Sequence, residues 1–87
     1  MRRFFFNYQQ PGGRLLDAEG EEFSGLSEAE HHAREVAREL ARNQNAADLE
    51  SRAIVVEDEE GKEVARIPLN NPNENARLPA SPQRRAH

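Results

Sequence analysis

The chain contains one turn pattern twice, as Asp17-Ala18-Glu19-Gly20-Glu21-Glu22-Phe23 and as Asp58-Glu59-Glu60-Gly61-Lys62-Glu63-Val64. Both copies read Asp-x-Glu-Gly-x-Glu followed by an apolar residue. An Asp side chain can accept a hydrogen bond from the backbone two residues later, and Gly adopts positive φ without a steric penalty, so both residues favour a tight turn. The copies flank one helical segment. They therefore predict a strand-turn-strand rhythm on each side of a helix.

The helical segment has a start signal and an apolar stripe. Ser27 and Glu30 have the spacing of a capping box, in which each side chain satisfies a backbone amide near the helix start. The pattern predicts a helix from Ser27 to about Asn43–Asn45. The apolar side chains that recur at helical spacing are mostly small, which allows close approach to a sheet. They are Ala29, Ala33, Val36, Ala37, Leu40 and Ala41.

Four further segments have strand character, being aromatic, β-branched or bounded by turn residues. They are residues 3–8, residues 14–17 after the turn at 9–13, residues 52–57, and residues 63–69. Pro68 cannot donate a ladder hydrogen bond, so it is expected at a strand end or a sheet edge. The sequence predicts an α+β fold of order β-β-α-β-β, a four-stranded, mainly antiparallel sheet with one helix packed on one face.

Length and charge divide the 87 residues into two parts. Residues 1–69 form one small domain with nine basic and fifteen acidic side chains, a net charge of −6. Residues 70–87 are polar and contain Pro, three Arg and one Glu. Their low apolar content predicts a disordered tail. An acidic domain repels phosphate backbones, so nonspecific binding of nucleic acid by the domain is disfavoured.

Several kinds of site and location are poorly supported by the residues present. The chain has no Cys, and no apolar run approaches the ~18 residues of a membrane span, so a cytoplasmic protein is expected. Side chains of the neighbouring residues His31 and His32 would point about 100° apart on a helix, which is unsuited to shared zinc binding. No Ser lies in a Gly-x-Ser-x-Gly elbow. We therefore expect a protein that is not an enzyme and has no metal or other cofactor.

The aromatic strand predicts a face for self-association. Side chains alternate along a strand, so Phe5 points away from the side shared by Phe4 and Phe6. The run around Val55 is likewise apolar on both sides. Because one helix covers only one sheet face, Phe5 and Val55 are predicted to lie exposed on the other. Pairing of that face in a homodimer would cover them, and an unidentified protein partner is the other option.

A second interpretation uses the basic residues next to aromatic ones. Basic and aromatic side chains on one strand can contact and stack on single-stranded nucleic acid. The contact residues would be Arg2, Arg3 and Phe5, with Arg84 and Arg85 in the tail. The protein would then be a small nucleic-acid-binding or antitoxin-like regulator. The segment lacks the glycines of RNA-recognition strands, so core packing of its aromatic residues is favoured over base stacking.

The order of these features resembles a known family. The resemblance comprises the aromatic first strand, the turn at 17–23, the helix opening Leu26-Ser27-Glu28-Ala29 and the closing Ile67-Pro68-Leu69. The chain resembles small bacterial proteins catalogued as a domain of unknown function, common in soil and plant-associated alphaproteobacteria. The resemblance covers about residues 3–69 and implies a cytoplasmic bacterial protein with this fold. It implies no catalytic or binding residues, and the long segment after Leu69 departs from the family.

Overall fold

A nine-residue first strand organises the sheet. The computed structural model describes residues 1–72. The elements, in chain order, are β1 (Arg2–Gln10), β2 (Gly13–Leu15), β3 (Glu21–Phe23), α1 (Leu26–Ala41), α2 (Ala46–Leu49), β4 (Ala53–Glu57) and β5 (Glu63–Pro68). The predicted order of two strands, a main helix and two strands is confirmed, with β3 and the short α2 as additional elements.

All strand pairs are antiparallel, and their order is β2-β1-β4-β5. On the side of β1 away from β4, two short strands share its length. Residues 8–10 of β1 pair with β2, and residues 2–4 pair with β3. The sheet therefore has five strands instead of the expected four, because Glu21–Phe23 pairs with the start of β1. Residues 5–7 of β1 lie between the two short strands.

The core lies between α1 and one face of the sheet. The predicted alanine stripe supplies the contact, since Ala29, Ala33 and Ala37 are completely buried. Small side chains let the helix backbone approach the sheet closely, and β-branched residues suit the pleated surface beneath it. The remaining core residues on the strands and after β5 are Phe4, Ile54, Val56, Ala65, Ile67 and Leu69.

The helix starts earlier than the sequence predicted. It begins at Leu26, Gly25 is its N-cap, and no side chain caps the Gly25 position. The prediction that Ser27 caps the helix is wrong, because Ser27 is already the second residue of the helix. Leu26, the first residue, packs against the core. Instead Ser24 donates from its backbone N and from Oγ to Glu28 Oε1, at 3.2 and 2.6 Å. These hydrogen bonds lower the pKa of Glu28 below its ordinary value.

Long polar side chains cover much of the second sheet face, the face away from α1. Arg66 forms a two-pronged ion pair with Glu63 at 3.0 and 3.1 Å, and it also donates to Gln9 Oε1 at 2.9 Å. Since β4 lies between β5 and β1, the Arg66 side chain must cross over β4. The expectation that Val55 is exposed is wrong. Val55 is completely buried because the apolar stem of a long cation can lie over an apolar neighbour.

Both outer edges of the sheet are modified against pairing. At the β5 edge, the pairing register shifts between Val56 and Glu57, and Pro68 ends the strand as predicted. At the other edge, β2 and β3 contain three residues each. Bulges, Pro and short strands all hinder the addition of another strand. The predicted tail at 70–87 lies outside the described residues from position 73 onward.

Candidate docking groove

The two turn copies, far apart in sequence, lie on either side of Phe5. A groove of about 330 Å³ opens on the second sheet face. Phe5 and Asn7 form its floor. One wall consists of Leu16, Asp17 and Ala18, from the first copy and the residue before it. The other wall is formed by Glu57 and, from the second copy, by Asp58, Glu59 and Gly61. We call this feature the docking groove.

Asp17 fastens the first wall to the sheet. Its Oδ2 accepts a hydrogen bond from the Phe6 backbone N at 3.1 Å. Its Oδ1 accepts from the backbone N of Glu19 and of Gly20, at 3.3 and 3.1 Å. Its own backbone N donates to Asn7 Oδ1 at 2.9 Å. We call these four hydrogen bonds the Asp17 latch.

The second wall is a turn held in the same manner. Asp58 Oδ1 accepts from the backbone N of Glu60 and of Lys62, at 2.9 and 3.0 Å. The Lys62 N–H is the main reason that the pKa of Asp58 lies below its ordinary value. Gly61 has a φ of +80°. Both copies are therefore turns in which Asp accepts from later backbone amides and Gly has positive φ, as predicted.

The first turn copy also packs against Phe5 through Gly20. Gly20 has a φ of +71°, and a Cβ atom built on it would lie 2.9 Å from Phe5 Cδ2 and 2.8 Å from the Phe4 carbonyl oxygen. Real Cβ atoms do not approach other atoms so closely. The absence of a side chain at Gly20 thus lets the loop pack directly against Phe5.

The groove has an apolar, exposed projection on its rim. Leu16 is 73% exposed, and it lines the groove together with the half-buried Phe5. Leu15 is 58% exposed, but it pairs with Tyr8 and lies on the helix side of the sheet. The second wall is acidic, and its charge is partly neutralised because Arg14 lies 3.5 Å from Glu57. The groove can therefore accept an apolar side chain at a rim of mixed charge.

Two of the residues predicted to contact nucleic acid, Arg3 and Phe5, lie side by side on the second sheet face, where both approach Gly20. Phe5 lies in the docking groove, whereas Arg2 lies over the Phe4 ring at 5.0 Å. Arg3 donates to the Glu19 carbonyl oxygen at 2.8 Å and pairs with Glu22 at 3.2 Å. Both arginines also line a hollow with the acidic residues 58–60. Arg84 and Arg85 lie outside the described residues.

The adjacent histidines have different surroundings on α1. His31 lies 3.2 Å from Glu35 on the helix surface. The His32 ring packs against the rings of Phe6 and Phe23, at centroid distances of 5.0 and 5.2 Å. No group of three potential metal ligands occurs within residues 1–72. In the same part of the chain, no helix has the length and apolar character needed to span a membrane.

Comparison with known proteins places the chain in a family. A family model described as a domain of unknown function, DUF6894, matches residues 3–70. The chain belongs to the DUF6894 family. The match confirms the resemblance to a domain of unknown function, and it covers every strand and helix of this DUF6894 domain except the first residue of β1. Neither the curated proteins nor the solved structures gave a match.

Sequence reasoning found Phe5 and both turns of the DUF6894 domain but missed Asn7, Leu16 and the latch. Asn7 follows three Phe residues and lies on the same side of β1 as Phe5, at 2% exposure. A polar residue in an apolar strand indicates a buried hydrogen-bond partner, and that signal was present in the sequence. The exposure of Leu16 had no such signal, because Leu15-Leu16 reads as part of a strand.

Proposed function

We propose that this protein is a non-enzymatic interaction module that self-associates through the docking groove. In the proposed homodimer, Leu16 of each copy enters the groove of the other and packs against Phe5. The observation that carries the proposal is the 73% exposure of Leu16 beside the Phe5 ring, in a chain whose mean hydropathy is −0.98. A large exposed apolar side chain next to a hollow is typical of an interaction surface.

A second copy of the chain fits this surface because the surface contains both halves of a contact. Leu16 is the projection, and the hollow over Phe5 is the recess. A two-fold axis brings each projection to the other copy's recess, which is the pattern of a symmetric dimer. The Arg14–Glu57 pair reduces charge repulsion at the rim. Pairing through sheet edges is disfavoured by the bulge, by Pro68 and by the shortness of β2 and β3.

The carboxylates of the groove support a structural role over a catalytic one. Both oxygens of Asp17 and Oδ1 of Asp58 already accept hydrogen bonds from backbone amides. Carboxylate oxygens that accept hydrogen bonds from the backbone hold the two turns in place, which is a structural role.

The small apolar area of this contact predicts a weak dimer. Burial of one Leu and part of one Phe from each copy contributes a few kcal/mol at about 25 cal/mol per Å². Association also costs translational and rotational freedom. A dissociation constant of tens of micromolar, equivalent to about −6 to −7 kcal/mol, therefore requires burial of the surrounding groove rim in addition to these two side chains.

Paired substitutions at the two exposed leucines test the proposal. Leu16→Ser should raise the dissociation constant of the homodimer at least tenfold, since it removes the projection and leaves a polar group facing Phe5. Leu15→Ser removes an equally apolar, exposed side chain from the helix side of the sheet, so it should change the constant less than twofold. Light scattering and sedimentation equilibrium across 5–500 μM, on the full chain, measure both.

Three outcomes would contradict the proposal. The first is a wild-type chain that is monomeric throughout this range. The second is a Leu16→Ser variant that dimerises like the wild type. The third is salt-sensitive binding of a single-stranded oligonucleotide that is lost in Arg3→Ser, since this result would favour the nucleic-acid interpretation instead.

A further inference from the structure

The Asp17 latch fills a gap in the sheet. β2 pairs with residues 8–10 of β1 and β3 pairs with residues 2–4, so neither strand pairs with residues 5–7. A partly buried backbone amide left without an acceptor is costly. Asp17 Oδ2 supplies the acceptor for the Phe6 amide at 3.1 Å. A side chain thus takes the place of a strand hydrogen bond at the centre of β1.

The other end of the latch is anchored in the floor of the groove. Asn7 is 2% exposed and is the one buried polar side chain among residues 1–72. Its Oδ1 accepts the Asp17 backbone N–H at 2.9 Å. Asp17 Oδ1 holds the next turn through Glu19 and Gly20. The backbone on both sides of Asp17 is therefore fixed relative to β1.

The latch determines the position of the backbone at Leu16. Leu16 directly precedes Asp17, and its own side chain is 73% exposed, so packing against this chain holds it only weakly. A projection that is already in position loses less conformational entropy on docking than one on a loose loop. We infer that Asn7 and Asp17 are positioning residues for self-association: although both line the groove, they act on the dimer through the hydrogen bonds that hold the backbone at Leu16 in place beside Phe5. This inference rests on the proposed function.

Asp17→Asn tests the inference because it changes one atom at nearly constant volume. The amide keeps one acceptor oxygen and gains a donor, so it cannot accept from both Phe6 and the Glu19–Gly20 pair. We expect the variant to stay folded, with a melting temperature lowered by a few degrees. Its homodimer dissociation constant should rise at least tenfold at 25 °C. Hydrogen exchange at the Phe6 amide, measured by NMR under dilute, monomeric conditions, should accelerate at least tenfold.

Two control variants separate positioning from stability and from contact. Ala33→Gly weakens the helix on the opposite side of the sheet, so it should lower the melting temperature while leaving the dissociation constant within twofold of the wild type. Leu16→Ser should weaken the dimer as strongly as Asp17→Asn, yet leave exchange at Phe6 unchanged. If Asp17 contributes only to stability, Asp17→Asn should weaken dimerisation no more than Ala33→Gly does.

The possible failures are distinguishable. A wild-type chain that stays monomeric overturns the proposed function and, with it, the positioning role. A dimeric wild type whose Asp17→Asn variant dimerises equally well overturns the positioning role alone. An Asp17→Asn variant that loses its dimer while Phe6 exchange stays slow also overturns it, since the latch would then be intact and Asp17 would act by direct contact.

Discussion

Gly20 and Gly61 occupy the same place in the two turn copies, with φ angles of +71° and +80°. Their surroundings differ. A Cβ on Gly20 would overlap the Phe4 carbonyl oxygen and Phe5 Cδ2, whereas a Cβ on Gly61 would meet nothing within 4 Å. The conformational cost of Ala is similar at both sites, on the order of 1–2 kcal/mol. The crowding at Gly20 is an additional cost, since backbone and a ring must shift.

We therefore predict that Gly20→Ala destabilises the protein by about 3 kcal/mol and Gly61→Ala by about 1 kcal/mol. Urea unfolding followed by circular dichroism measures both values. Equal losses would mean that the first loop moves away from Phe5 without cost. The sequence predicted the positive φ at both residues, because Gly in an Asp-x-Glu-Gly turn indicates it. The crowding depends on a contact with a distant strand, which no local pattern reports.

At the scale of elements, the start of α1 shows how a core contact overrides a local signal. Ser27 and Glu30 match the capping box in sequence, but the helix begins at Leu26, and the Ser24–Glu28 contact stabilises the start. We predict that Ser24→Ala lowers the melting temperature by a few degrees while Ser27→Ala changes it by less than one degree. Differential scanning calorimetry tests this, and a larger loss for Ser27→Ala would place the cap where the sequence did.

The contribution of the Ser24–Glu28 contact to stability should depend on pH. Hydrogen bonds from Ser24 hold the pKa of Glu28 below its ordinary value. A lowered pKa means that the contribution to stability is present at neutral pH and is lost as the pH falls through the pKa of the folded state. The difference in melting temperature between the wild type and Ser24→Ala should therefore become smaller at acidic pH. A difference that stays constant down to pH 2 would exclude the Glu28 carboxylate as the cause.

Elements with a clear apolar pattern in the sequence were predicted well. The element that depends on pairing with a distant strand was not. The alanine stripe of α1 and the apolar runs of β1, β4 and β5 indicated their elements correctly. β3 was missed because two of its three residues are Glu, which do not favour strands. It forms because β1 is long enough to pair with two short strands on one side. Strand pairing of this kind depends on the chain's path and is not coded locally.

At the scale of the whole molecule, the docking groove arises from strand order. The two turn copies are separated by 41 residues in numbering, yet they flank Phe5 because β1 lies beside β4. Sequence reasoning predicted both turns and an apolar second face. It could not predict that Arg66 covers Val55, because that contact spans three strands. The apolar surface available for docking therefore consists of Phe5 and Leu16, whereas the sequence predicted Phe5 and Val55.

The charge of the whole molecule determines the sign of its response to salt. The whole chain carries a net charge of −4, and residues 1–69 carry −6, so two copies repel each other as they approach, while the contact at Leu16 and Phe5 is apolar. The screening length falls from about 14 Å at 50 mM salt to about 4 Å at 500 mM. We predict that this increase in NaCl tightens the homodimer severalfold in sedimentation equilibrium. Glu59→Gln, at the groove, should tighten the homodimer at low salt more than Glu50→Gln, at the C-cap of α2. Nucleic-acid binding weakens as salt increases, so a complex that weakens with salt would show that opposite charges hold it together and that the apolar contact does not.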